Sequence, residues 1–308
     1  MSTAPDALAG TPATRALPAP VSVGELTDTT IEAMRARGVI DPERWGRTLV
    51  AAALDVPSAE LDTLRRRPPT PEQLDYVRDI LGRVTPDEPV AYLVGRAPFL
   101  GLDFAVTRDT LIPKRDTELF VEIILAEVAS DPLPENPHVL ELCCGSGCFA
   151  ITLAKRIPGA RVVATDISPE ALTVAQKNVA TYGADVTLGL GDLWEPVAAL
   201  MGGRPFDLIV SNPPYIPTEK IPDMGRHVAE HEPHLALDGG ADGLDPHRRI
   251  LERAAEFLAP GGRVFLEHEY YHGEAARALA QAAPDLTDVR TFADANGKDR
   301  AVFARRRP

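Results

Sequence analysis

Phe206-Asp207-Leu208-Ile209-Val210-Ser211-Asn212-Pro213-Pro214-Tyr215 is a short apolar run that breaks into a proline-rich corner. Its first six residues read as a buried strand bounded by turn signals. Open α/β sheets bind ligands outside the carboxyl ends of their strands, so the tetrapeptide Asn212–Tyr215 is expected to face that crevice. Two consecutive prolines stiffen the backbone and remove two N–H donors, leaving carbonyl oxygens free to point at a ligand. Asn212 adds a side-chain carbonyl beside them. Such a pair of acceptors suits both hydrogens of a planar –NH2 group, with Tyr215 as a flat wall. Asn-Pro is also an ordinary turn step, and the tetrapeptide alone leaves both readings open.

Working outward, helices and apolar strands alternate from Glu118 onward, which predicts an α/β fold with a mostly parallel sheet covered on both faces. The candidate strands are His138–Leu142, Arg161–Asp166, Asp185–Leu190, Phe206–Ser211, Arg263–His268, Asp288–Phe292 and Ala301–Ala304. Intervening helices are expected over Glu118–Val128, Pro169–Tyr182 and Pro246–Leu258.

The first of these strands ends in Cys143-Cys144-Gly145-Ser146-Gly147-Cys148 and runs into a helix. Glycines in a strand-to-helix turn let the backbone approach a ligand closely. Asp166 closes the next strand, 21 residues after Gly145, where a carboxylate can accept from both hydroxyls of a ribose. Gly145-x-Gly147-x-x-Ala150 also satisfies the relaxed dinucleotide fingerprint, so the glycines alone do not choose between NAD and another adenosine cofactor. After the third strand, Gly191-Asp192-Leu193-Trp194 supplies a further point: Asp192 as an acceptor for an adenine amino group, Leu193 or Trp194 as a cover for the ring. A surface Asp and a packing Trp explain the same residues.

The amino-terminal third reads differently. Residues 1–22 are rich in Ala, Pro and Thr without periodicity, the composition of a disordered tail. Residues 23–92 place Leu26, Ile31, Met34, Trp45, Leu49 and Ala53 at helical spacing, with Pro42 and Pro71 at first turns, so a small helical bundle is expected. Its thirteen acidic residues against nine arginines make no basic grip on nucleic acid. Residues 93–117 look like a hairpin linker, and 118–308 form the second domain.

Over all 308 residues the net charge is −13, which argues against holding duplex nucleic acid through its phosphates. No apolar run approaches a membrane span, and no signal pattern is visible. The three cysteines fall within six positions and form no disulfide framework, so a reducing cytoplasm is expected. They also lack a partner pair at zinc spacing. His227, His231 and His234 stand at i, i+4 and i+7, but Pro233 interrupts their helix, and no metal site is expected.

Together these segments resemble the HemK/PrmC family, protein-(glutamine-N5) methyltransferases of peptide chain release factors. The resemblance is carried by Asn212–Tyr215 after the fourth strand, Pro89–Gly95, Leu111-Ile112-Pro113 with Asp116-Thr117-Glu118, Glu232-Pro233, Leu237–Leu244, and Leu266-Glu267-His268 with Gly273-Glu274-Ala275. It implies a seven-stranded Rossmann-like class I methyltransferase behind a helical substrate-docking domain, acting as a monomer on a release factor in the cytoplasm. By the same resemblance Glu141, Cys143, Gly145, Ser146, Gly147, Asp166, Ile167, Asp192, Leu193, Trp194 and Asn212 hold S-adenosyl-L-methionine. Asn212, Pro213, Pro214 and Tyr215 hold the substrate glutamine, with Phe99 walling its pocket; Asn212, Pro213 and Tyr215 serve catalysis.

The chain departs from the family pattern at Cys143, usually glycine, at Lys114-Arg115, usually Arg-Pro, and at Glu269, commonly glycine. The alternatives are a paralogue acting on a ribosomal protein's glutamine or a small amide or amine, and an adenine-N6 nucleic-acid methyltransferase, since adenine also presents a planar amino group. A cofactor-binding interaction module without catalysis and an NAD-dependent oxidoreductase are the rivals from other classes.

Overall fold

The computed structural model describes residues 22–294 and 296–308; the tail expected over residues 1–22 lies outside them except for Ser22. Helix α1 (Val23–Ala36) starts where the Ser22 hydroxyl accepts from Glu25 N. Helices α2 (Pro42–Leu54) and α3 (Pro71–Arg83) both carry proline in the first turn, where the missing N–H costs no intrahelical bond. Thr70 and Gln73 close a reciprocal capping box on α3. Leu26, Met34, Leu49, Val77, Ile80 and Leu81 form the core of this bundle. The short helix α4 (Val90–Val94) packs onto it through Val90 and straddles residue 92, the expected domain boundary.

A two-stranded antiparallel hairpin follows, β1 (Arg96–Phe99) and β2 (Leu102–Ala105). Helix α5 (Arg115–Ser130) then begins three residues before the expected boundary at 118. The strands β3 (His138–Leu142), β4 (Arg161–Asp166), β5 (Val186–Leu190), β6 (Phe206–Ser211), β7 (Leu258–Glu267), β8 (Leu286–Ala293) and β9 (Asp299–Arg306) form one sheet in the order β5-β4-β3-β6-β7-β9-β8. Pairing is parallel from β5 to β7 and antiparallel at β7/β9 and β9/β8. This is the mostly parallel, seven-stranded Rossmann-like arrangement.

Helices α6 (Cys148–Arg156) and α7 (Pro169–Tyr182) help cover one face over Val139, Val162, Leu208 and Phe265. The helices α8 (Asp245–Phe257) and α9 (Gly273–Ala282) cover the other over Leu140, Val163, Ile209 and Leu266. Strand β7 starts at Leu258, five residues earlier than its apolar pattern indicates, because the chain resumes pairing with β6 through a bulge across Ala259-Pro260-Gly261-Gly262. The chain builds outward from β3 to β5 and returns to lay β6 beside β3. That reversal opens a crevice at the carboxyl ends of β3 and β6, where open α/β sheets bind ligands.

Candidate active site

Six segments of the chain meet at that crevice. The turn after β3 is held by Cys144 N donating to Thr165 O at 3.0 Å and Gly145 N donating to Asp166 Oδ2 at 2.8 Å. Gly145 takes φ 52°, and a Cβ placed there would meet nothing within 4 Å, so its backbone lies open to the cleft. Asp166 Oδ1 accepts from Ser168 N at 2.9 Å. Burial pushes the Asp166 carboxyl upward, and the backbone N–H groups of Ser168, Gly145 and Ile167 only partly offset this. Each carboxylate oxygen keeps acceptor capacity beyond the one bond it already makes.

The cleft is a cavity of about 230 Å³ that opens to solvent. Cys143, Gly145, Asp166, Ile167, Asp192, Leu193, Asn212 and Pro214 line it. Arg108–Leu111 and Pro233, Leu235 and Ala236 line the cleft as well. Ile167 and Leu235 are large apolar side chains left exposed at 47% and 55%, so the cleft offers apolar cover beside its carboxylates. Asp192 is tied by Arg249 Nη2 at 2.7 Å.

The corner after β6 is braced from three directions. Asn212 Nδ2 donates to Thr117 Oγ1 at 3.0 Å, and Thr117 donates to Glu267 Oε1 at 3.2 Å. Tyr215 OH donates to the same Glu267 oxygen at 3.4 Å, and the Tyr215 carbonyl accepts from His272 Nε2 at 3.0 Å. Downstream, Ile216 N donates to Leu237 O, and Gly239 N to Ile216 O. Burial, reinforced by Glu267, holds the Tyr215 hydroxyl well above its ordinary pKa, so it is a neutral donor; unlike Asn212 and Pro214, Tyr215 is not among the residues that line the cleft.

Several residues expected at the site lie elsewhere. Trp194 is not among the residues lining the cleft: its ring stacks on Phe257 at 4.6 Å in the core, and its indole N–H donates to Arg249 O. Phe99 is fully buried against Phe104 in the core beneath the hairpin, so it walls no cleft. Glu141 is buried near the carboxyl end of β3 and accepts from Ala150 N at 2.7 Å, securing the start of α6. Burial raises its pKa well above the ordinary carboxylate value. Ser146 is buried and its carbonyl accepts from Asn178, while Gly147 packs against Ala175. Pro213 is buried. His231 meets Arg108 and His234 meets Asp238, so these two imidazoles are drawn to different partners.

Thr117, Glu267 and His272 were not singled out for roles by the sequence, although Thr117 and Glu267 stand in segments quoted for the resemblance. Arg108–Thr110, Leu235 and Ala236 were missed as cleft wall; only neighbouring Leu111 and Pro233 carried a signal.

Residues 25–95 match the PrmC N-terminal domain and residues 116–241 the Methyltransferase small domain. The release factor glutamine methyltransferase of Geobacter sulfurreducens is 40% identical over 285 residues, covering 92% of this chain and 96% of that protein. That of Bradyrhizobium diazoefficiens is 38% identical over 292 residues, 93% and 96% of the two chains. The chain belongs to the release factor glutamine methyltransferase family. A third member, from Moorella thermoacetica, is 45% identical over 221 residues, 71% of this chain and 75% of that protein. As a member, the protein is an enzyme, an S-adenosylmethionine-dependent methyltransferase. The cleft fits that cofactor: the open backbone at Gly145 leaves room for a close approach, Asp166 offers a carboxylate for ribose hydroxyls, and Ile167 and Leu193 offer apolar cover. Among the described residues, no helix is long and apolar enough to cross a membrane.

Proposed function

We propose that the enzyme methylates the side-chain amide nitrogen of the glutamine in the Gly-Gly-Gln motif of a peptide chain release factor. The observation that carries this reading is the Asn212 amide: its Nδ2 is tied to Thr117, which leaves Oδ1 as the end available to a substrate in the cleft that Asn212 lines. An amide nitrogen is a poor nucleophile because its lone pair is delocalised into the carbonyl. Asn212 Oδ1 and the Pro213 carbonyl accept its two N–H groups, aim the nitrogen, and favour the positive charge that grows on it during transfer. S-adenosylmethionine, when bound, supplies an electrophilic methyl group on a sulfonium. Gly145, Asp166, Ile167, Asp192 and Leu193 are assigned to holding it. Pro214 walls the glutamine side chain. Positioning of this kind can be worth roughly 7–11 kcal/mol in favourable cases.

The reading includes a monomer working in the cytoplasm, with the helical bundle docking the release factor. Division of the chain into a bundle (23–92), a linker (93–117) and a methyltransferase domain (118–308) is part of the same proposal. The test is mass spectrometry of an unmethylated release factor incubated with the enzyme and S-adenosylmethionine. One added methyl on the Gly-Gly-Gln glutamine is expected. Asn212→Ala should lower kcat by the equivalent of about 2–4 kcal/mol while cofactor binding persists. Absence of methylation by a cofactor-binding wild type, or full turnover by Asn212→Ala, would overturn the substrate or the role of Asn212 respectively.

A further inference from the structure

An asparagine amide presents a donor end and an acceptor end of nearly the same shape, so something must decide which end faces the substrate. Here the decision is made two side chains away. A threonine hydroxyl carries one proton, and that of Thr117 is committed to Glu267 Oε1 at 3.2 Å. Thr117 Oγ1 can then only accept from Asn212, and it does so from Nδ2 at 3.0 Å. The –NH2 end is drawn to Thr117, and Oδ1 is left for the cleft. The Tyr215 hydroxyl donates to the same carboxyl oxygen at 3.4 Å, so one acceptor sets the polarity of both ends of the tetrapeptide.

We propose that Glu267 and Thr117 are positioning residues that set the polarity of the Asn212 amide, so that the site selects a substrate nitrogen bearing two hydrogens. The relay deepens the glutamine-methylating reading and rests on it for its kinetic consequence. Glu267 is 2% exposed, and its Oε2 has no hydrogen-bond partner among the described residues. A buried carboxyl with an unpaired oxygen is destabilising compared with an apolar side chain, so packing does not account for a carboxyl here. Its acceptor bonds from Thr117 and Tyr215 do. The Thr117–Glu267 contact spans 150 residues and the Asn212–Thr117 contact 95, joining the start of α5, the end of β7 and the corner after β6.

Two measurements test this, one of which needs no substrate. In the NMR spectrum of the full chain, the Asn212 side-chain –NH2, assigned by its loss in Asn212→Asp, should show one proton protected from exchange. Thr117→Ser should retain that protection and Thr117→Val, of equal volume but without the hydroxyl, should lose it. With an unmethylated release factor, Thr117→Val should reduce kcat at least tenfold, with KM and the cofactor Kd within threefold of wild type. Thr117→Ser should recover most of that loss. Glu267→Met, which removes the acceptor, should reduce kcat as Thr117→Val does. Unaltered protection and turnover in Thr117→Val would overturn the relay. So would a loss confined to KM or cofactor affinity, which would mark a structural role. A wild type inert toward the release factor would sink the substrate assignment while the NMR result still decides the relay.

Discussion

At the scale of single residues, burial and chemistry conflict at Glu267. Burial is the main cause that pushes its carboxyl to about 8, with Asp116 adding to the rise and Thr117, Tyr215 and Arg300 opposing it. A carboxyl raised in the folded state contributes stability that is fully present below its unfolded pKa, near 4.5, and is lost as pH rises through about 8. Glu267→Gln cannot ionise and is exempt from that loss. Urea midpoints at pH 5, 7 and 9 should therefore show wild type falling relative to Glu267→Gln, by at most about 1.4 kcal/mol per pH unit in that window. Parallel curves would mean that the carboxyl titrates near its ordinary value. Asn212 itself was legible in the sequence because its signal is local: two prolines follow it and an apolar strand precedes it. Thr117 and Glu267 were not, because their roles exist only through contacts with groups far away in the chain.

Among the elements, the turn from β3 to α6 separates two glycines that look equivalent in the sequence. Gly145 (φ 52°) opens to the cleft, whereas a Cβ on Gly147 (φ 74°) would sit 3.2 Å from the Ala175 Cβ. Both substitutions to alanine incur about 1–2 kcal/mol of left-handed strain. Gly145→Ala should add to this a loss of S-adenosylmethionine affinity of at least tenfold by calorimetry, because the methyl enters the cofactor's approach. Gly147→Ala should act mainly on stability, with a lower melting temperature than Gly145→Ala and a smaller loss of affinity. Equal affinity losses would show that the turn moves as a unit. Strand positions were readable from apolar runs, and the starts of α2 and α3 from Pro42 and Pro71. Trp194 was misread because an apolar ring suits a cofactor lid and a core equally, and only the stacking on Phe257 distinguishes them.

For the whole molecule, the question is how the bundle is held to the sheet domain. Arg44 of α2 is 9% exposed; its Nη2 donates to Pro98 O at 2.6 Å and Pro113 O at 3.0 Å and lies 3.8 Å from Glu118. Ser58 donates its N–H and hydroxyl to Asp103 Oδ2, and Ala105 N donates to Asn178 Oδ1 on α7. The hairpin is thus pinned on both sides. Arg44→Ala would leave two carbonyls and a carboxylate short of a partner, at a cost of about 2–4 kcal/mol. We expect protease cleavage between residues 95 and 115 to accelerate and KM for the release factor to rise, with cofactor Kd unchanged. An unaltered cleavage rate would show that the apolar contacts alone hold the bundle.

The sequence by itself determined the alternation of elements, the fold class and the tetrapeptide, because periodicity, proline and glycine act within a few residues of themselves. It also carried the family, through motifs spread from Pro89 to Ala275. Tertiary structure alone decided that β6 returns beside β3, so that Gly145, Asp166 and Asn212 share one cleft. It also decided that Trp194 and Phe99 belong to the core, and that a carboxyl on β7 orients an amide after β6. The physical reason is that strand order and side-chain partners depend on packing between distant segments, whose energy no local pattern records.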